Sequence, residues 1–448
     1  LPSSDAFDVG LLSPVTVGHD APVSDAEIAA AMVEVEVALA RASARAGIAP
    51  ESAAVAISAA LDGWTPDAAE LARLAVAAGN PIIPLVAALR TRVATADALD
   101  GADAASWVHR GATSQDVVDT ALMLIANRAL ARVDASLAVA ADALARLADG
   151  HRATVMAART LTQQSTPTSF GLVAAGWLLG VVDARAGLPR GLPVQLGGAS
   201  GTLASFVELG GVPAATALPG LLAEQLGLAA PTLPWHTRRG TITRLGDSLT
   251  SVIDSLGVIA TDVATLGRTE IGELSETGGG GSSAMPQKQN PVRSVLIRSA
   301  AQRAPGLAAE LHRSAATAVD QRPDGAWHAE WPALRELLRL ALGASGLAAE
   351  LLAGLRVDAE RMRENLERTG PLIVAERLSL VLGPRLGTAR VQDLVDRASA
   401  GADLAALLAA EPGVGDLDLG GLLDPTIYTG AADALIDAAL AAHLASTA

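Results

Sequence analysis

The sequence predicts an all-α protein of three helical domains, spanning residues 1–107, 108–350 and 351–448. Three observations carry this. Half of the residues are hydrophobic but only 2% are aromatic, so alanine and leucine dominate, as in helices packed through small side chains. Apolar residues recur at three- and four-residue steps in long segments through the middle of the chain, the period of a buried helix face. The 448 residues are enough for about three domains with a large buried core.

The elements follow in order. Ser24-Asp-Ala-Glu27 is a capping-box pattern; it opens a helix to about Gly47 with Ile28, Met32, Val35 and Leu39 on one face. Pro50-Glu51 begins a second helix, and Thr65-Pro-Asp67 a third that stops at Gly79-Asn-Pro81. Pro84 opens a fourth, through Leu85 and Leu89. No strand-like alternation of useful length interrupts this region. Asp116 to about Gly150 reads as one helix, far above the usual length of ~11 residues. Phe170 to Ala186, Thr241 to Glu270, Asn290 to Arg322 and Trp331 to Leu352 read as four more. Helices this long imply a bundle, shared between subunits. Arg159 to Ser169 reads as a polar loop, and Pro189 to Thr202 as a Gly/Pro-rich turn region that admits a short hairpin. Past residue 351 come shorter helices, a loop-like stretch towards Thr426 and a final Ala-rich helix.

Composition excludes several functions. A formal charge of −15 and a pI near 4.9 argue against nucleic acid and anionic membranes as partners. They leave room for an anionic small substrate held by a local basic site. With no cysteine, disulfides and thiol chemistry are out. The seven histidines show no His-x-x-x-His spacing, so no metal site is expected. The first eight residues lack the basic and apolar regions of a signal peptide, and the apolar run Phe170 to Val182 is too short for a membrane span. A cytoplasmic protein is expected.

Three polar segments stand out in this apolar chain. Gly278-Gly-Gly-Gly-Ser-Ser-Ala-Met-Pro-Gln-Lys-Gln-Asn-Pro291 spends backbone entropy on four glycines ahead of a hydroxyl pair, a cation and an amide. A closing loop and a flexible linker both contain such glycines; Met285-Pro-x-Lys288-x-Asn290-Pro behind them favours the loop. His109-Arg-Gly-Ala-Thr-Ser-Gln-Asp116 precedes the longest helix, where Thr113, Ser114 and the helix N–H groups suit a carboxylate; a plain N-cap uses the same residues. Arg159-Thr-Leu-Thr-Gln-Gln-Ser-Thr-Pro-Thr-Ser169 is the third. Hydroxyls, amides and one lysine suit a polycarboxylate and chemistry at its α- and β-carbons.

The Gly-Ser-Ser-x-Met-Pro-x-Lys-x-Asn-Pro pattern at 281–291 resembles the signature of the aspartase/fumarase superfamily, and His109-x-Gly-Ala-Thr-Ser-x-Asp116 and Arg159-Thr-Leu-x-Gln163 resemble its other two blocks, in the right order. The resemblance implies a homotetramer with a twenty-helix core and active sites each built from three subunits. It also implies cofactor-free chemistry, without a metal, through an aci-carboxylate. On it Ser282 matches the acid/base, and Lys288 and Asn290 match the groups stabilising the aci-carboxylate. Thr113, Ser114, Gln115, Thr160, Gln163, Ser283 and Met285 match substrate contacts, and His109, His236 and Arg239 are candidates to hold further carboxylates. Members commonly pair a histidine in the second block with a glutamate seven residues after the signature lysine; here those positions are Leu161 and Val295. Loss of both halves, with Ala78-Gly-Asn-Pro-Ile-Ile-Pro84, Pro234-Trp-His-Thr237 and Ala326-Trp-His-Ala-Glu-Trp331, resembles the bacterial 3-carboxy-cis,cis-muconate cycloisomerase branch. That branch carries Trp at the Leu161 position and Asp at the Gly240 position, so this chain departs from it twice. The branch implies lactonisation of a diene tricarboxylate in protocatechuate breakdown. The alternative is a superfamily lyase that removes an amine, nitrite or similar group from a succinyl compound.

Overall fold

The computed structural model describes residues 9–96, 101–278, 280–281, 285 and 288–447. Long helices packed through small apolar side chains build an all-α fold, and the strands found among the described residues form three two-stranded ladders. The chain divides into two units: Leu1–Ser136, Gly187–Asp254 and Ser299–Gly346 make the first, and Leu137–Ala186, Ser255–Arg298 and Leu347–Ala448 the second.

In unit 1, side-chain caps set where helices begin. Helix α1 (Asp25–Arg45) starts with Ser24 Oγ accepting from the Glu27 N–H at 3.3 Å, as the capping box requires. α2 is Glu51–Leu61. α3 (Ala68–Ala78) is capped by Asp67 Oδ1, which accepts from Ala69 N at 3.0 Å and Glu70 N at 3.1 Å. α4 (Ile82–Ala96) begins two residues before Pro84, because Asn80 Oδ1 accepts from the Ile82 N–H at 3.0 Å. A short α5 (Gly101–Ala105) leads to α6 (Ser114–Gly150), whose first 23 residues belong to unit 1.

Unit 2 takes the rest of α6 and then a hairpin. β1 (Val155–Thr160) pairs antiparallel with β2 (Gln163–Ser169), with Arg159 opposite Gln164 and Thr160 opposite Gln163. The sequence reads this stretch as a loop, because Pro167 and a run of hydroxyls hide the strand alternation. Its inward side chains decide the matter: Met156, Ala157 and Ser169 are buried, and Ala157 packs with Leu366, Ile373 and Val374. α7 (Phe170–Ala186) follows directly.

Back in unit 1, the segment 189–202 is irregular rather than a hairpin, with Pro193 in a single parallel bridge to Ala229. α8 (Ala204–Leu226) has no counterpart in the sequence reading, since Gly210, Gly211, Pro213 and Pro219 punctuate it. Gly211, at φ 77°, breaks the helix, and Gly210 lets Ile48 approach to 2.6 Å of where a Cβ would stand. α9 (Gly240–Leu266) buries Ile242, Leu245, Leu249, Val252, Leu256 and Ile259. By length and composition alone α8 and α9 are long and apolar enough to cross a membrane; the buried stripe of α9 is that of a core helix.

β3 (Leu274–Glu276), β4 (Gly280–Gly281) and β5 (Gln289–Asn290) flank the signature loop in unit 2, and α10 (Val292–Ala316) and α11 (Gly325–Ala353) follow. β6 (Leu355–Val357) pairs with β3. α12 (Ala359–Glu367), α13 (Ala375–Leu386), α14 (Thr388–Ser399), α15 (Leu404–Ala409) and α16 (Leu419–Leu423) come next. Leu378, Leu382, Val391, Leu394, Leu404 and Leu408 form a core cluster among them. α17 (Ala432–Thr447) is the final Ala-rich helix.

Gly343 lies in the unit 1 part of α11, where a Cβ would stand 2.0 Å from the Val15 carbonyl oxygen. Gly343→Ala is therefore expected to cost about 1–3 kcal/mol by overpacking; urea unfolding with an unchanged midpoint would refute this.

Candidate active site

The first block turns sharply into α6. His109 (φ 59°) and Gly111 (φ 89°) both take left-handed backbone, and a Cβ on Gly111 would meet the Phe206 ring at 2.8 Å. Asp116, in the first turn of α6, closes the cap by accepting from the Thr113 N–H at 3.0 Å. It also accepts from the N–H groups of Gly197 and Gly198, both at 2.9 Å, and pairs with His236 Nε2 at 2.8 Å. One turn on, Asp119 accepts from Arg239 Nη1 at 2.7 Å, Trp327 Nε1 at 2.9 Å and Gln115 Nε2 at 3.1 Å. Arg239 reaches Glu330 with its other edge, at 2.7 Å from Nη2. Burial works against the Arg239 charge, but Asp119 and Glu330 more than offset it and hold its pKa above the usual arginine value. Burial pushes the Glu330 carboxyl up, against the pull of its Arg239 bonds.

This network engages three candidates internally. Gln115 is wholly buried, giving its amide N–H groups to Asp119 and to the His236 carbonyl at 2.9 Å. His236 and Arg239 are buried against Asp116, Asp119 and Glu330. Thr113 and Ser114 stand at the helix entrance, the Thr113 hydroxyl accepting from Arg322 Nη2. Arg322 also donates to the Ala199 carbonyl at 2.9 Å; the hydroxyl and the carbonyl are both neutral acceptors. A cleft of about 650 Å³ opens beside Trp235, Arg238, Arg239 and Arg244, away from the block itself.

The second block is anchored at its root and exposed at its tip. Arg159 makes a two-pronged bond with Glu273, at 2.6 and 2.9 Å, and Glu273 also accepts from Asn365 Nδ2 at 2.8 Å. Beyond this anchor Thr160, Leu161, Thr162 and Gln163 are all exposed. Leu161 (φ 49°) and Thr162 (φ 72°) make the two-residue turn in left-handed backbone, where non-glycine residues are strained.

The signature loop is closed at its base, with Gly280 opposite Asn290 and Gly281 opposite Gln289. Its exit is fixed by Glu276, which accepts from Arg293 N at 3.0 Å, Ser294 N at 2.9 Å and Ser294 Oγ at 2.6 Å. A carboxylate there satisfies the free N–H groups and the dipole of α10. Lys288 and Met285 are exposed and Asn290 is half-buried; Ser282 and Ser283 lie outside the described residues. The first block belongs to unit 1, and the hairpin and the signature loop to unit 2. Among the described residues no group of three or more His, Asp or Glu is placed to hold a metal ion.

A family model described as Lyase matches residues 19–306. Nitrosuccinate lyase of Streptomyces davaonensis is 50% identical over 453 residues, covering 97% of this chain and 94% of that protein. The 3-carboxy-cis,cis-muconate cycloisomerase of Pseudomonas aeruginosa is 42% identical, covering 92% of this chain and 91% of that protein. The chain belongs to the aspartase/fumarase superfamily. A crystal structure of 3-carboxy-cis,cis-muconate lactonizing enzyme from Pseudomonas putida superposes with a TM-score of 0.88 at 37% identity, covering 98% of this chain and all of that one. The chain is thus an enzyme of the superfamily's lyase and isomerase group.

Within the superfamily frame, several residues are visible only in the structure. Asp119, Glu330 and Glu273 are buried acids that hold the arginines, and Glu276 is a cap supplied from outside its helix. Arg322 sits in the polar run Asp320-Gln-Arg-Pro-Asp324, a signal the sequence does offer. Lys288 is the only lysine of the chain, all other fixed cations being arginine, although arginine suits ion pairs better.

Two outcomes follow. Arg239→Met is expected to cost about 3–5 kcal/mol in urea unfolding, because two buried carboxylates lose their counter-charge, and Asp119→Asn with Glu330→Gln in the same chain should recover part of it. Among the side chains acetylation removes the charge of lysine and spares arginine, so turnover should fall in step with the mass label on Lys288, read apart from that on the N-terminal amine; full labelling of Lys288 with full turnover would remove it from the chemistry.

Proposed function

We propose that this enzyme eliminates nitrite from a nitrosuccinate-type acid. A base takes the proton from the carbon next to one carboxylate. That carboxylate carries the charge as an aci-carboxylate, and its collapse breaks the C–N bond at the neighbouring carbon. The products are fumarate, nitrite and the proton held by the base. Ser282 is the base in this reading, its alkoxide held by loop N–H groups and Lys288. Lys288 and Asn290 hold the aci-carboxylate, where donors aimed at developing charge contribute a few kcal/mol each. Thr113, Ser114, His109 and Arg322 bind the other carboxylate. Ser283, Met285, Thr160 and Gln163 are further substrate contacts in this reading, while Gln115, His236 and Arg239 brace the first block.

The observation that carries the reading is Leu161, where the cycloisomerase branch has Trp, with Val295 completing the loss of the relay pair. Neither can relay a proton, and nitrite, a stable anion, leaves without one. The higher identity to nitrosuccinate lyase, 50% against 42% for the cycloisomerase, supports it. A second reading, lactonisation of 3-carboxy-cis,cis-muconate, needs no relay either, since the attacking group is the substrate's own carboxylate. The TM-score of 0.88 to the lactonizing enzyme favours it. In both readings the sites are shared among the subunits of a homotetramer, supported by Val139, Leu179 and Val258, which long helices leave exposed.

Incubation with nitrosuccinate should release nitrite and fumarate in equal amounts, and 3-carboxymuconate absorbance should persist. Loss of that absorbance with no nitrite release would replace the first reading by the second. Ser282→Ala should lower turnover by orders of magnitude, about 10²-fold or more, with the assembly intact by light scattering; a monomer in that measurement would refute the shared site.

A further inference from the structure

Glu36 belongs to none of the three sequence blocks. It lies on the buried face of α1 between Met32, Val33 and Leu39, with its side chain 1% exposed. Its Oε1 lies 2.6 Å from His109 Nδ1, and its Oε2 is buried with no partner. A buried carboxylate with one oxygen unsatisfied is costly unless a counter-charge faces it. The imidazole is the group that meets it.

His109 is held in left-handed backbone at φ 59°, a conformation that persists only where neighbours over-determine it. Its side chain keeps 15% of its surface. With Nδ1 committed to Glu36, Nε2 is the atom left to meet a ligand. Orientation of one ring nitrogen by a carboxylate on the other is a general device for fixing an imidazole's tautomer.

We infer that Glu36 is a positioning residue: it locks the His109 ring through Nδ1–H and presents Nε2–H, as a charged donor, to a substrate carboxylate at the entrance of α6. This rests on the reading of the first block as a carboxylate site. The charged groups facing the ring are Glu36 from α1, Asp116 from α6 and Arg90 from α4. Burial and Arg90 pull the His109 pKa down, but Glu36, by charge and by its hydrogen bond, and Asp116 carry it above its ordinary value of 6.5. The charged donor is therefore present below that ordinary value and lost as pH rises through the raised one.

The test uses the intact enzyme with Glu36→Gln, Glu36→Asp and His109→Gln. It reads kcat and KM against pH on whichever of nitrosuccinate and 3-carboxymuconate is turned over. It also reads the His109 imidazole titration by ¹⁵N NMR and the calorimetric affinity for succinate, which need no turnover. Glu36→Gln should raise KM or weaken succinate about tenfold, the worth of a hydrogen bond to a charged group, with kcat little changed. It should move the alkaline limb of kcat/KM and the imidazole titration to lower pH, and Glu36→Asp should restore part of both. An unmoved titration in Glu36→Gln, or unmoved KM and affinity beside a loss in His109→Gln, would overturn the proposal. If His109→Gln itself leaves KM and affinity unchanged, the carboxylate reading of the block fails, and the proposal with it, even where the NMR shows the pairing intact.

Discussion

The guanidinium of Arg239, clamped between Asp119 and Glu330, is the interaction on which the site-bearing end of unit 1 depends. Removing its charge from water is unfavourable, and two carboxylates within hydrogen-bonding distance are what make the burial tolerable. The consequence is geometric. Asp119 is one turn from Asp116 on α6, so fixing the arginine fixes the helix entrance. Asp116 then collects the N–H groups of Gly197 and Gly198 and the ring of His236. Loops with little regular structure of their own thereby acquire a rigid frame.

Unit 2 solves the same problem with separate anchors. Glu273 holds the hairpin by Arg159, and Glu276 holds the first turn of α10. In each case a side chain from one segment satisfies the polar groups of another. The exposed tip of the hairpin, with Thr160 and Gln163, lies just beyond the ion pair between Arg159 and the buried Glu273.

Much of this was legible in the sequence. Ser24, Asp67 and the Gly79-Asn-Pro81 stop mark the early helices because caps are local chemistry, readable from neighbours in the chain. The long helices announce themselves by period, and the three polar blocks by contrast with an apolar background. α8 was hidden because glycine and proline signal breaks, whereas here they permit close approach and a kink. The hairpin was hidden because its burial is decided by Leu366, Ile373 and Val374, about two hundred residues away. Glu36, Asp119, Glu330 and Glu273 could be seen as acids in apolar surroundings, but their partners are set by packing alone.

The hairpin tip shows what such anchoring permits. Leu161 is 96% exposed and touches no core, so exchanging it disturbs none of the contacts that keep the chain folded. Substitutions there are limited by the left-handed backbone of the turn rather than by packing. A position whose side chain touches no core can change its chemistry while the chain stays folded, provided the new residue accepts that backbone.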